Sequence, residues 1–417
     1  MTVFTDIQKA VELGDPARVN ELLEKVLIEE DPDSQYTLAE WFSEIGYLEE
    51  AVKLLEHLQF LFPEETGLTV ERAVLLIEID REDEAQELLT AIPETDDHYP
   101  QALVALADLF QSQGLLEAAD RRLDEAMRLL PGEPLLIQAK AEILLESGRY
   151  LEAARLYGEL LESGAEIPGV SLPERLAEVY SAGAAYEEAL PHYEQALEEQ
   201  SHPDTLFGAA FASFQAGRYT QSLRYLDELI GMDPDYFSAY LLKAQNHNMT
   251  EEYKEAYTAV SEGIRRDEYD KELFLFAGKL ALKLGEEGPA ENHLREAIAL
   301  DPDYMEAIQV LMMLLHRQSR SEDVLELAEM ASTNGSDWAG LYPVIAAAYE
   351  EAERYGEAME YYERAYEPFK EDPGFLSDFA RFLLEEGQIE RAIKTVDELL
   401  MIDPDNAEWL EWRQSQL

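Results

Sequence analysis

The sequence predicts an all-α solenoid of about twelve helix–turn–helix pairs, closed by a single C-terminal helix. Three observations predict it. Residues 373–406 hold two amphipathic runs with Gly387 between them and Pro404 closing the second, and the same template fits again at 271–304, 203–236, 100–133 and 32–65. Small residues recur at fixed places in both runs. No linker and no low-complexity tract interrupts the series. A repeat of this period marks units that bury their apolar faces by stacking on their neighbours.

Residues 1–31 read as a degenerate first pair, with Ile7, Ala10, Val11 and Leu13 in its first run and Val19, Leu22, Leu23, Val26 and Leu27 in its second. Pro16 suits the first position of a helix, and Pro32 ends the pair. Eleven repeats fill 32–406, beginning near 32, 66, 100, 134, 170, 203, 237, 271, 305, 339 and 373. Their spacing is 34 except for one step of 36 and the next of 33. The segment 407–417, AEWLEWRQSQL, is one more first-helix-like run with a polar end, suited to capping the last repeat. The array of 1–417 is thus predicted to be continuous.

Each first helix carries a small residue at its eighth place, as in Ala39, Ala107, Ala177, Gly278 and Ala380. Each second helix carries one near its start, as in Ala51, Ala119, Ala189, Ala290 and Ala392. Missing bulk at both places lets two helix backbones approach and interlock. Tyrosine recurs three residues before the second small residue, as Tyr150, Tyr186, Tyr219, Tyr253 and Tyr355, and is expected to pack in the core with its hydroxyl hydrogen-bonded. The recurring Asp-Pro-Asp turns at 31–33, 233–235, 301–303 and 403–405 lack the glycine and distal glutamate of a calcium loop. They are expected to cap the following helix.

Two places bend the pattern and are candidate hinges. At 163–172 the connection lengthens and gains Pro168 and Gly169, and at 332–340 a Gly/Ser/Asn loop replaces the proline turn. The repeat at 305–338 also departs, with Met312 and Met313 for small residues and Ser319 for the turn glycine.

These residues resemble the tetratricopeptide repeat over nearly the whole chain. The resemblance implies a right-handed superhelix whose first helices line a concave groove. Length, acidity and array-only architecture also resemble the YpiA type of cytoplasmic repeat protein from Bacillus-like bacteria. A scaffold of this kind predicts fold strongly and particular function weakly.

Charge excludes several classes of partner. Asp and Glu number 89 against 32 Lys and Arg, a net of −57. Phosphate backbones and anionic lipid surfaces are bound by clustered cations, and no run of Lys or Arg offers a local exception, so neither nucleic acid nor membrane is expected as a partner. With no cysteine there are neither disulfides nor thiolate metal sites, and the N-terminus lacks the basic and apolar pattern of a secretory signal. A cytoplasmic location is the expectation. The seven histidines show no ligand spacing, and there is no phosphate loop and no nucleophile elbow. No catalytic residue, cofactor or metal is expected, and the chain reads as non-enzymatic.

The remaining site is the groove. In the family, places 2, 5, 9 and 12 of each repeat face it. Here those places are acidic or neutral in the first half, with Glu40, Asp108, Glu142, Glu174 and Glu178. At the repeat from 203 they bring Phe207, Phe211 and Phe214, which form one stripe along a helix. Gln245, Asn248 and Lys279 follow, flanked one place further on by Lys283 and Arg317, with Arg381 in the last repeat. Two readings of the stripe stand side by side. Phe211 or Phe214 fills core volume left by the small Ser213, or the stripe is an aromatic anchor beside amides and scarce cations. The second makes Phe207, Phe211, Phe214, Gln245, Asn248, Lys279, Lys283, Arg317 and Arg381 the expected partner-binding residues, for an amphipathic protein segment with an apolar face and some acidic groups, while the acidic first half suits a more basic portion of the same or another partner. The function expected is an interaction scaffold. The rival expectations are a peptide-sensing regulator and a co-chaperone-like binder of acidic tails.

Overall fold

Apolar residues three and four apart, ended by residues that leave the helical conformation, make each run a helix. The computed structural model describes residues 2–333 and 338–416. Among these, 25 α-helices and one 3-10 turn form. They divide into two compact units, Met1–Ala216 and Gly217–Leu417.

The first unit opens with α1 (Thr2–Glu12) and α2 (Pro16–Glu29), then α3 (Pro32–Glu44) and α4 (Leu48–Leu61). Next come α5 (Thr66–Glu78) and α6 (Glu82–Thr90), α7 (Tyr99–Ser112) and α8 (Leu116–Leu129), and α9 (Pro134–Glu146) and α10 (Tyr150–Ser163). It ends with α11 (Leu172–Ala182), α12 (Tyr186–Glu199) and α13 (Pro203–Gln215). The second unit begins with α14 (Tyr219–Met232), followed by α15 (Ser238–Met249) and α16 (Tyr253–Arg266). Then follow α17 (Lys271–Leu284) and α18 (Glu287–Leu300), and α19 (Met305–Arg317) and α20 (Ser321–Thr333). A 3-10 turn at Ala339–Leu341 leads into α21 (Tyr342–Glu351) and α22 (Tyr355–Phe369). The chain ends with α23 (Pro373–Glu385), α24 (Ile389–Ile402) and α25 (Ala407–Ser415). Of the expected hinge at 332–340, residues 334–337 lie outside the described residues.

The small-residue places are buried as expected. Ala39 is 2 % exposed, and Ala177, Ala380, Ala51, Ala189 and Ala392 are fully covered. At Gly278 even a methyl group would not fit, since a Cβ there would stand 2.8 Å from Leu294 Cγ of α18. That close approach is what the missing side chains provide. In the repeat from 305, Met312 and Val324 take these two places and are both fully buried, while Met313 points outward at 59 % exposed. Leu13, expected in the core of the first pair, lies past the end of α1 and is 82 % exposed.

The tyrosine expectation needs correction. Tyr150 and Tyr355 are 36 % and 43 % exposed, and Tyr186, Tyr219 and Tyr253 are only half-buried. Each is the first residue of its second helix, beside the turn, where the ring covers the rim of the stack instead of its interior. Tyr150 shows how: it lies across the next pair so closely that a Cβ at Gly183 would stand 3.0 Å from its own.

The capping expectation holds at Asp31, whose carboxylate accepts from the Ser34 amide ahead of Pro32. It fails at Asp233 and Asp301. These residues end α14 and α18, and their carboxylates accept from the amides two residues on, Asp235 and Asp303, because the next helix begins only after further turn residues. Asp403 likewise ends α24, and the cap of α25 is Asn406, which accepts from the Trp409 amide.

Between the two helices of most pairs the chain turns through one left-handed residue. Glycine supplies it at Gly46, Gly114 and Gly387, among others, but Asp80, Ala184, Glu251, Ser319 and Glu353 hold the same place with φ between 54° and 61°.

Candidate functional site

Helix α13 carries the aromatic stripe. Leu206, Ala209, Ala210, Ala212 and Ser213 turn inward and are fully covered, which leaves Phe207, Phe211 and Phe214 on another face. Phe211 is 37 % exposed and meets the Tyr186 ring edge-on, centroids 6.1 Å apart. Phe207 and Phe214 are half-buried. Ser213 is itself fully covered, and its hydroxyl has no hydrogen-bond partner among the described residues.

In the second unit the expected cations are present but engaged. Lys279 Nζ lies 2.6 Å from Glu306 Oε1. Lys283 donates to Asn248 Oδ1 at 2.7 Å and stands 4.8 Å from the centre of the Tyr253 ring. Arg317 meets Glu287 at 2.8 Å, and Arg381 meets Asp378 and Glu408 at 3.3 and 3.5 Å. Gln245 is half-buried on α15. With 89 carboxylates against 32 cations, Lys279, Arg317 and Arg381 each find an acidic neighbour, while Lys283 is held by a neutral amide. Each of these cations thus has a partner within its own unit before any segment binds.

The acidic places of the first unit behave differently. Asp108 has no hydrogen bond or ion pair among the described residues, and burial, reinforced by the charge of Glu142, raises its carboxyl above the usual range. Glu142 accepts from Gln138 at 3.1 Å and from the Tyr157 hydroxyl at 3.4 Å, both uncharged donors. Tyr157 is pushed up in turn, first by burial and then by the Glu142 charge. Glu178 is paired with Arg175 at 2.9 Å, and Glu174 accepts from Thr205. Asp108 is thus a carboxyl raised by its protein surroundings on a side chain that still reaches water, with no cation paired to it among the described residues. In the second unit Asp378 and Glu350 are raised by burial in the same way, opposed by Arg381 beside Asp378 and by the Tyr362 hydroxyl bonded to Glu350.

One basic feature went unnoticed in the sequence because it is not a run. On α8, Arg121, Arg122 and Arg128 share a face with Glu125, and with Phe110 of α7 they line a cavity of about 670 Å³. The signal was the helical spacing of the three arginines combined with the brevity of α6, which holds 9 residues where α4, α8 and α10 hold 14.

Helix pairs locked by small residues at the eighth and twentieth places, repeated along the chain, define a tetratricopeptide-repeat protein. A family model of YpiA-like tetratricopeptide repeats matches residues 111–165, and its C-terminal counterpart matches 344–406. General tetratricopeptide models match 139–204 and 182–245. The TPR repeat-containing protein YpiA of Bacillus subtilis is 37 % identical over 407 residues, spanning 98 % of this chain and 96 % of that protein. The chain belongs to the YpiA-like family of tetratricopeptide-repeat proteins. Among solved structures it is similar to the APC/C hetero-tetramer Cut9-Hcn1, with TM-score 0.42, 15 % identity and coverage of 99 % and 95 % of the two chains. It is also similar to yeast Tom70, with TM-score 0.39, 15 % identity and coverage of 99 % and 94 %. Among the described residues no helix is long and apolar enough to cross a membrane.

Proposed function

We propose that this protein is a non-enzymatic, cytoplasmic interaction scaffold that binds a segment of a partner protein along its first helices. The observation that carries the reading is the Phe207, Phe211 and Phe214 stripe on α13, which stands away from the covered face of its own helix. Aromatic side chains in such a position supply the large contact area at which binding energy concentrates. Asp108, which has no ion pair among the described residues, adds a preference for a segment with Lys or Arg as well as an apolar face.

The tail-binder reading loses support for a specific reason. Clamping an acidic tail needs cations free to receive it, and Lys279, Lys283 and Arg381 are each held by residues of their own unit. A peptide-sensing role would use the same aromatic stripe and would differ in what the binding controls.

The test is crosslinked affinity purification from native cells with the wild type and with Phe211→Ala, both checked for unchanged helicity. The variant is expected to lose a subset of partners, and part of the remaining set should fall away at raised salt. An identical partner set from a folded Phe211→Ala would end the proposal.

A further inference from the structure

The arginines of α8 stand where the array leaves a notch. In the repeat from 271, the place of Arg122 belongs to His293, and Tyr257 of the preceding second helix meets it at 2.9 Å. In the repeat from 373, the place of Glu125 belongs to Glu398, which accepts a hydrogen bond from Tyr366 of the preceding second helix. This face of a second helix is thus normally met by its predecessor. For α8 that predecessor is α6, which stops at Thr90, and the residue that would correspond to Tyr366 is Pro93, outside the helix. Glu125 is bonded instead from within its own pair, by Tyr99 at 2.8 Å and Arg122 at 3.2 Å. Asp124, the other acid at the rim, is taken by Lys140 at 2.7 Å.

Two guanidiniums remain uncommitted to any carboxylate. Arg121 is exposed and makes no hydrogen bond or ion pair among the described residues, and Arg128 reaches only the Asp124 carbonyl, at 3.2 Å. In a chain of net charge −57 such unspent cations are scarce, and here they flank a half-buried aromatic ring, Phe110. Guanidinium forks bind carboxylates in a planar, two-bonded geometry, and the cavity has the size of ordinary ligand sites. We propose that this notch is a second binding site, on the second-helix side of the first unit, for an acidic peptide segment that places one apolar side chain on Phe110 and its carboxylates on Arg121 and Arg128. A nucleic acid would bring too long a run of phosphates against the acidic surface on either side.

A fluorescein-labelled peptide of about twelve residues, rich in Asp and Glu with one central Phe, tests this by anisotropy with the full chain. Saturable binding is expected, weakened about tenfold or more in the double variant Arg121→Ala, Arg128→Ala, by the loss of two charge-assisted contacts. Arg155→Ala, on α10 and already paired with Glu159, should leave it unchanged. No saturable binding, an equal loss in Arg155→Ala, or equal binding of the Asn/Gln version of the peptide overturns the proposal. So does a concentration-dependent dimer in sedimentation that the double variant abolishes, which would give the notch to a second copy of the chain. Phe211 takes no part here, so this site and the α13 stripe stand or fall separately.

Discussion

Ala184→Gly should stabilise this protein, although nothing in its local sequence suggests a fault. Ala184 joins α11 to α12 with φ of 57°, the left-handed region, while the glycine beside it, Gly183, sits at an ordinary −81°. A left-handed L-residue costs roughly 1–2 kcal/mol, because its Cβ crowds the following carbonyl. Glycine removes that strain and gives back about 0.5–1 kcal/mol through the greater freedom of the unfolded chain. The Ala184 side chain is exposed, and the hydrogen bond its backbone N–H donates to the Ser181 carbonyl at 3.0 Å survives the change. The net expectation is a gain of about 0.5–1 kcal/mol, or about 1–4 °C for a unit of this size. Urea unfolding followed by circular dichroism measures it, and amide exchange across α11 and α12 localises it, since stability in stacked repeats is shared between neighbours. Gly183→Ala is the paired control and should destabilise, because its Cβ would press on Tyr150 at 3.0 Å. A midpoint for Ala184→Gly that fails to rise would refute the strain argument for all five non-glycine turns.

Ala290→Leu and Ala380→Leu, at fully buried places of α18 and α23, should each cost about 1–3 kcal/mol by overpacking, read as a lowered melting temperature. Asp108→Asn should raise stability near neutral pH. Its folded carboxyl titrates above the unfolded value, so the wild-type charge opposes folding at pH 7; the advantage of the amide should shrink as pH falls through the folded value and vanish below the ordinary carboxylate range. Denaturation midpoints of the two proteins at pH 7 and pH 4 check the sign, and a gap that widens in acid would contradict it.

Much of the architecture was readable from residue order. Small residues at fixed places marked the helix contacts, and their complete burial follows from geometry that repeats with the chain. The candidate site was less legible. The Phe207, Phe211 and Phe214 spacing placed three rings on one face, and Leu206, Ala210 and Ser213 turn the other way. The partners of the cations beside the expected site were not legible, because they come from other repeats: Lys279 meets Glu306, which lies 27 residues away in sequence. The tyrosines were misjudged because a position in the repeat fixes which helix face a ring leaves from, not how far the next pair covers it.

The sequence by itself determined the period, the helix pairs and the acidity of this protein, since these depend on residue type and spacing along one chain. Only the tertiary structure decided which guanidiniums stay uncommitted, which turn residue carries the left-handed strain, and where a shortened helix exposes its neighbour. The uncommitted guanidiniums and the exposed neighbour depend on groups some thirty residues apart meeting across adjacent pairs, where a hydrogen bond is won or lost by distances that no spacing rule contains.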